Sequence, residues 1–224
     1  MVKVVQTWDD GLVADIGLIG ILRRHQAKAT FCLNPGLYHD QRSLGWVRNG
    51  REVWRLSIGE LRAVYAGLEI ASHSMTHPDL TALSREQLHW EVRVSREVLE
   101  DIFRQPVTGF VYPFNACNEV VREAVHAAGY RWTRGPRQQE EDDPEPPPVT
   151  GDLWEFPPSC HYLAPDFWRL YERQRLRNGV FFFWGHSYEL DGPESWQEFE
   201  ERIRGISLDP QADWLFFHEL LPGR

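Results

Sequence analysis

Short β-rich runs alternate with longer amphipathic runs along almost the whole of this 224-residue chain, and no other feature limits its fold as much. Residues 2–7, 29–33, 68–71, 107–112, 130–133, 153–156, 180–184 and 214–217 read as strands. Residues 12–25 carry apolar side chains at helical spacing, and 166–176 and 194–204 also read as helical. Ser57 with Glu60, and Ser84 with Gln87, have capping-box form and open two more helices, the second running to about Phe103. Asn118 can cap a further helix that Gly129 ends. Residues 34–56 are irregular, rich in Gly, Arg and aromatics, and are expected to form a long functional loop. Residues 136–150 are dense in Pro, Glu and Asp and read as an exposed, mobile loop. Parallel strands need a crossover, usually a helix. The alternation therefore predicts an α/β fold with a mostly parallel sheet, open or closed into a barrel.

Polar residues able to do chemistry fall just after the expected strand ends: Asp9 and Asp10, His73, Pro113 to Asn115, and His186. Barrel enzymes carry their chemistry at that end of the strands. Adjacent carboxylates, and two histidines four residues apart, are what a mononuclear metal hydrolase needs: one carboxylate binds beside two imidazoles while the other stays free as a base. His73 and His77 reach one metal if their segment turns helically. Each piece also has a plainer reading. Asp9-Asp10-Gly11 can be only a turn, His73 and His77 two loop histidines, and His186 a polar strand terminus.

The 42% hydrophobic and 13% aromatic composition is enough for a sizeable core. A net charge of -9 disfavours nucleic acid and anionic membranes as partners, but not a neutral, polar substrate such as a sugar. No apolar run approaches the roughly 20 residues of a membrane span. The N-terminus enters a strand-like run directly, so no signal peptide is read and a cytoplasmic location is expected, although a trimmed chain would look the same. Cys32, Cys117 and Cys160 are odd in number and widely spaced, as reduced, mostly buried thiols are.

Thr7-Trp-Asp-Asp-Gly11 resembles the Thr-Phe-Asp-Asp-Gly motif of the polysaccharide deacetylases of carbohydrate esterase family 4, which include chitin and peptidoglycan deacetylases. His73-Ser-Met-Thr-His77-Pro78 is similar to the second motif of that family, Phe110-Val-Tyr-Pro-Phe-Asn115 to its third, and Phe183-Trp-Gly-His186 to its late strand–histidine motif. The resemblance extends from residue 7 to residue 186 and implies a distorted (β/α) barrel of about seven strands, with 1–224 as one catalytic domain. It implies a divalent metal, zinc first and cobalt, manganese or nickel as alternatives, held by Asp10, His73 and His77. Asp9 would be the general base and His186 the general acid. Trp8, Tyr112, Pro113, Phe114, Trp132 and Arg134 are candidates to contact the substrate, an acetylated saccharide or related small amide. The backbone N–H of Phe114 is a candidate oxyanion donor.

Three positions depart from the family pattern. Val111 stands where many members carry an arginine that orients the base, and Arg134 is the candidate replacement. Asn115 stands in place of a glycine. The acid that tunes the catalytic histidine has Asp152, Glu155 and Glu189 as equal candidates. These departures keep a second reading open, a non-hydrolytic carbohydrate- or metal-binding domain on the same fold. The oligomeric state is not legible.

Overall fold

The computed structural model describes residues 1–135 and 151–222, so the expected loop at 136–150 lies outside the described residues. Eleven strands are described: β1 (Val2–Asp9), β2 (Thr30–Leu33), β3 (Ser43–Arg48), β4 (Arg51–Arg55), β5 (Glu69–Ser72), β6 (Gly109–Val111), β7 (Trp132–Arg134), β8 (Leu153–Phe156), β9 (Cys160–His161), β10 (Val180–His186) and β11 (Ala212–Trp214). The helices are α1 (Asp15–Arg24), α2 (Leu61–Val64), α3 (Arg85–Leu88), α4 (Ser95–Phe103), α5 (Glu119–Ala127), α6 (Phe167–Arg177) and α7 (Pro193–Ser207).

Nine of these strands form one parallel sheet in the order β8-β7-β6-β5-β2-β1-β10-β9, with β11 paired to the first half of β1. Strands β8 and β9 are the two ends of that order, yet only residues 157–159 separate them. Four peptide units reach at most about 14 Å. The sheet therefore curls until its ends come close, as in the expected distorted (β/α) barrel. Its nine strands exceed the seven or so that the resemblance implies, and β9, two residues long, is the one that no apolar run of the sequence marks.

Two apolar layers follow from the period-2 alternation of strands. One face of the sheet, with Val4, Trp8, Phe31, Ile70, Phe110, Phe181 and Phe183, packs against the helices. The inner face, with Val5, Cys32, Ala71, Val111, Trp132, Phe156 and Phe182, packs on itself and on Phe217, Leu220 and Leu221 from the C-terminal segment.

Two expectations are corrected. Residues 34–56 are not a structureless loop: β3 and β4 form an antiparallel hairpin turned at Asn49-Gly50, both with positive φ. Asn-Gly is the residue pair such turns favour. The apolar run 214–217 is not the last strand, since β11 ends at Trp214 and Phe217–Leu220 form a single tight turn. The buried carboxylate of Glu69 captures the backbone N–H groups of Phe217 (2.6 Å) and His218 (3.1 Å) and bends the chain inward.

Candidate active site

Strand register sets the site. Asp9 pairs with His186 across β1 and β10, Leu33 with Ser72 across β2 and β5, and Val111 with Arg134 across β6 and β7. Asp9, Asp10, His73, Arg134 and His186 thus reach the same rim of the curled sheet. With His77, Tyr112, Phe114, Asn115, Trp184 and Tyr188 they line one cleft of about 320 Å³.

The segment carrying His73 and His77 is not helical, contrary to the expected route to a shared metal. Ser74 and His77 adopt positive φ, and Ser74 Oγ accepts the His77 N–H at 2.9 Å. The two imidazole centroids are 4.6 Å apart. Two buried groups that the sequence reading passed over hold this bend. Asn34 Nδ2 donates to the carbonyls of His73 and Ser74. Glu91 accepts from the N–H (2.9 Å) and hydroxyl (2.6 Å) of Thr76, and its own carbonyl accepts the Met75 N–H. Glu91 lies in a π-helical segment, His89–Val94, between α3 and α4, and such segments are frequent beside functional sites.

The donor set of Asp10, His73 and His77 fits a divalent cation. Its three ligand atoms lie within 4.8 Å of one another, with His77 Nε2 and Asp10 Oδ1 at 3.9 Å. N and O ligands on one tetrahedral ion are about 3.3–3.6 Å apart, so the set must draw in by up to about 1.5 Å. His73 is already in the right tautomer. Its Nδ1 faces the Val111 carbonyl at 2.7 Å, which can only accept, leaving the Nε2 lone pair for a metal. Burial, only partly offset by Asp9, pushes the His73 pKa down to about 4, so the ring is neutral as a ligand must be. Gly11 is needed behind this set: its φ is +64°, and a Cβ there would sit 1.8 Å from the Tyr38 hydroxyl.

Asp9 lies beside this donor set, with Oδ2 4.0 Å from His73 Nε2, but its partner is a different one. Arg134 grips it with both arms, Nη1 to Oδ1 at 3.0 Å and Nη2 to Oδ2 at 2.6 Å, and also donates to Thr7 Oγ1. Burial opposes ionisation of Asp9, but Arg134, His73 and His186 together hold its carboxyl far below the usual carboxylate range. The Arg134 guanidinium lies 4.5 Å from the Trp184 ring centroid, a cation–π contact that braces it from a second side. His186 Nε2 lies 3.9 Å from Asp9 Oδ2. Of the three acids considered as its partner, Asp152 binds Arg131 and Glu155 binds Arg122, while Glu189 Oε2 lies 3.4 Å from His186 Nδ1.

The expected substrate residues divide. Tyr112, Phe114 and Arg134 line the cleft, and Pro113 is buried outside its lining. Trp8 and Trp132 do not reach it. Trp8 is one residue from Asp9 on β1 and so faces the helices, packing on Tyr162 and Phe199. Trp132 shares the inner face with Arg134 but lies deeper, stacked on Phe217 at 3.9 Å. The aromatics at the cleft are instead Trp184 and Tyr188. Arg55 and Trp46 of the hairpin stand next to them: Arg55 donates to the Asp10 carbonyl, and Trp46 meets Tyr188 edge-on at 5.2 Å.

The carboxyl rim of the curled parallel sheet thus carries an Asp-His-His cluster, a second aspartate and a histidine in one cleft. The chain belongs to the polysaccharide deacetylase family, whose sequence profile matches residues 2–133, more than half of its length. That match includes Asp9, Asp10, His73, His77 and residues 112–115, and stops short of Arg134 and His186. Among relatives, the peptidoglycan-N-acetylglucosamine deacetylase of Listeria monocytogenes is 24% identical over 140 residues, covering 58% of this chain and 25% of the relative. The chitooligosaccharide deacetylase of Rhizobium leguminosarum bv. trifolii is 28% identical over 140 residues, covering 60% and 58%. The chain thus spans a quarter and somewhat over half of these proteins. In fold it resembles the CE4 domain of a multidomain xylanase from the hindgut metagenome of Trinervitermes trinervoides (TM-score 0.61, 18% identity, 97% of this chain and 88% of that one). It also resembles the chitin deacetylase of Colletotrichum lindemuthianum (TM-score 0.59, 17% identity, 98% and 87%). Among the described residues no helix is long and apolar enough to cross a membrane.

Proposed function

We propose that residues 1–224 form one catalytic domain that removes an acetyl group from an N-acetylated, or O-acetylated, saccharide or a related small amide. The observation that carries this reading is the convergence of Asp10, His73 and His77 with the Arg134-bound Asp9 and with His186 in one cleft. A divalent ion held by Asp10, His73 and His77, zinc first, would supply Lewis-acid activation of water and of the acetyl carbonyl. Asp9 receives the proton of the attacking water, and Arg134 keeps it ionised and aimed. His186 delivers a proton from Nε2 to the leaving amine, which departs poorly as an anion. Each of these proton transfers is worth roughly 10²–10⁴-fold. Tyr112, Phe114, Trp184 and Tyr188 supply faces for a sugar ring and its acetyl methyl. The non-catalytic reading rested on the missing motif arginine and glycine; the bidentate Arg134–Asp9 pair answers the first, while Asn115 still stands in place of the second.

The deciding measurement is acetate release from N-acetylglucosamine oligomers by metal-reconstituted protein, with bound metal quantified in the same sample. Asp9→Asn is expected to keep one metal per chain and lose at least about 100-fold in acetate release. His77→Ala is expected to lose both metal and turnover. One metal per wild-type chain with no acetate from N- or O-acetylated sugars would sink the deacetylase reading.

A further inference from the structure

Behind His186 stands a group that none of the steps above uses. Glu189 lies in the turn that follows β10, and its Oε2 accepts the His186 backbone N–H at 3.0 Å. The same oxygen is 3.0 Å from His161 Nε2 and 3.4 Å from His186 Nδ1. Burial works against ionisation of Glu189, yet the two imidazoles hold its pKa down at about 2. His186 Nδ1 is buried and makes no hydrogen bond of good geometry, so Glu189 Oε2 is the acceptor that faces it.

His161, His186 and Glu189 also bring three ligand atoms within 4.8 Å of one another, as a cation site would. The backbone decides between a cation and a hydrogen-bond relay. A metal-binding histidine keeps its proton on the ring nitrogen turned away from the metal, against an acceptor. His73 obeys this with the Val111 carbonyl. His161 has the opposite polarity, because its Nδ1 accepts the Leu163 backbone N–H at 3.3 Å. In the neutral ring the proton then sits on Nε2 and points at Glu189, with no lone pair left there for a cation.

We propose that His161 is a positioning residue for the deacetylation read above. Its Nε2–H pins Glu189, and the pinned carboxylate accepts from His186 Nδ1–H, so that the protonated ring presents its Nε2–H to the leaving group. A competitor shows why a pin is needed. Arg48, on the hairpin, stands 3.9 Å from Glu189 Oε1 and draws the carboxylate away from His186 once His161 no longer holds it. The inference rests on the deacetylase reading of the cleft, so its test separates the two.

The His161 ring meets Trp184 edge-on at 4.7 Å, so His161→Phe keeps the packing and deletes the donor, while the amide of Gln in His161→Gln reaches the same oxygen. Turnover is measured on an N-acetylglucosamine oligomer, whose amine must be protonated to leave, and on an aryl acetate, whose phenolate leaves without a proton. His161→Phe is expected to lower kcat on the acetamide about tenfold at unchanged KM, and His161→Gln to restore most of it. On the aryl acetate the same variant stays within about twofold of wild type. Equal losses on both substrates, or no loss on either, overturn the proposal. So does a zinc titration that finds two ions per wild-type chain and one in His161→Phe. Independently of turnover, ¹⁵N NMR of the neutral His186 ring, recorded at a pH above its titration, is expected to show the Nδ1–H tautomer in wild type and a mixture in His161→Phe. An unchanged tautomer overturns the proposal. Wild-type protein that releases acetate from neither substrate removes the deacetylase reading instead, and the tautomer measurement then decides the relay alone.

Discussion

A carboxylate only 1% exposed persists as an ion only beside a counter-charge, and for Asp9 that charge is Arg134, itself 3% exposed. The pair binds the chemistry of the rim to the stability of the fold. Arg134→Met is expected to cost about 3–5 kcal/mol, measured as the drop in unfolding free energy at pH 7, because it strands a buried anion. A loss below about 1 kcal/mol would show that Asp9 finds another partner or takes up a proton cheaply. The replacement of the family's glycine by Asn115 is also explained at this scale. Asn115 has φ +53°, a left-handed conformation that Asn tolerates better than most residues. Neighbouring Phe114 holds φ +58° and stands 70% exposed against His77, so the turn carries strain of about 1–2 kcal/mol to present that ring.

Two helical elements position the site from beneath, and each makes a prediction. The π-helical segment turns Glu91 onto the His73–His77 bend. Glu91→Ala is expected to weaken divalent-metal affinity about tenfold in a titration of metal-free protein, while leaving the helix in place. Unchanged affinity would make Glu91 a structural residue only. At the start of α1, Asp15 is wholly buried, and burial, opposed only in part by Ser187, the Tyr65 hydroxyl (2.6 Å) and the Leu12 N–H (3.1 Å), raises its pKa to about 7. Its unfolded value is near 3.8. Between these values the folded state keeps a proton that the unfolded state has lost, so stability falls as pH rises from about 4 to about 7. The fall amounts to at most about 4 kcal/mol. Asp15→Asn is expected to flatten this slope in denaturant titrations from pH 4 to pH 8, and an unaltered slope would place the titration elsewhere.

At the scale of the molecule, the curled sheet leaves an inner face that must be filled, and the C-terminal turn fills it. Phe217 stacks on Trp132, meets Phe182 edge-on at 5.1 Å and is anchored through its backbone to Glu69. This plug supports the inner layer on which Arg134 and Asp9 rest. Phe217→Ala is expected to cost about 3–5 kcal/mol in unfolding free energy and to depress acetate release without touching the cleft. A cost near zero would mean that the interior repacks without it. Gly109 marks the same tight packing: a Cβ there would lie 1.9 Å from the Trp132 ring.

Much of this protein was written in local order. The strand–helix alternation set the α/β class, because periodicity and capping act between residues a few positions apart. Asp9, Asp10, His73, His77 and His186 were legible as a set because each follows an apolar run, and parallel register then brings strand ends to one rim. Other features depend on what a residue meets across the fold. Trp8 was misread because, next to Asp9 on a strand, it faces the other side of the sheet. Trp132 was misread because depth along the inner face has no sequence signature. Arg134 could be named from sequence as a candidate partner of Asp9, but only the tertiary structure brings it, 125 positions away, to its two bonds with that carboxylate. Glu189 was separated from Asp152 and Glu155 only by which arginine or histidine each meets. His161, Asn34 and Glu91 carried no local mark at all. Their hydrogen bonds close loops that no window of sequence contains, and only the curl of the sheet brings those partners within reach.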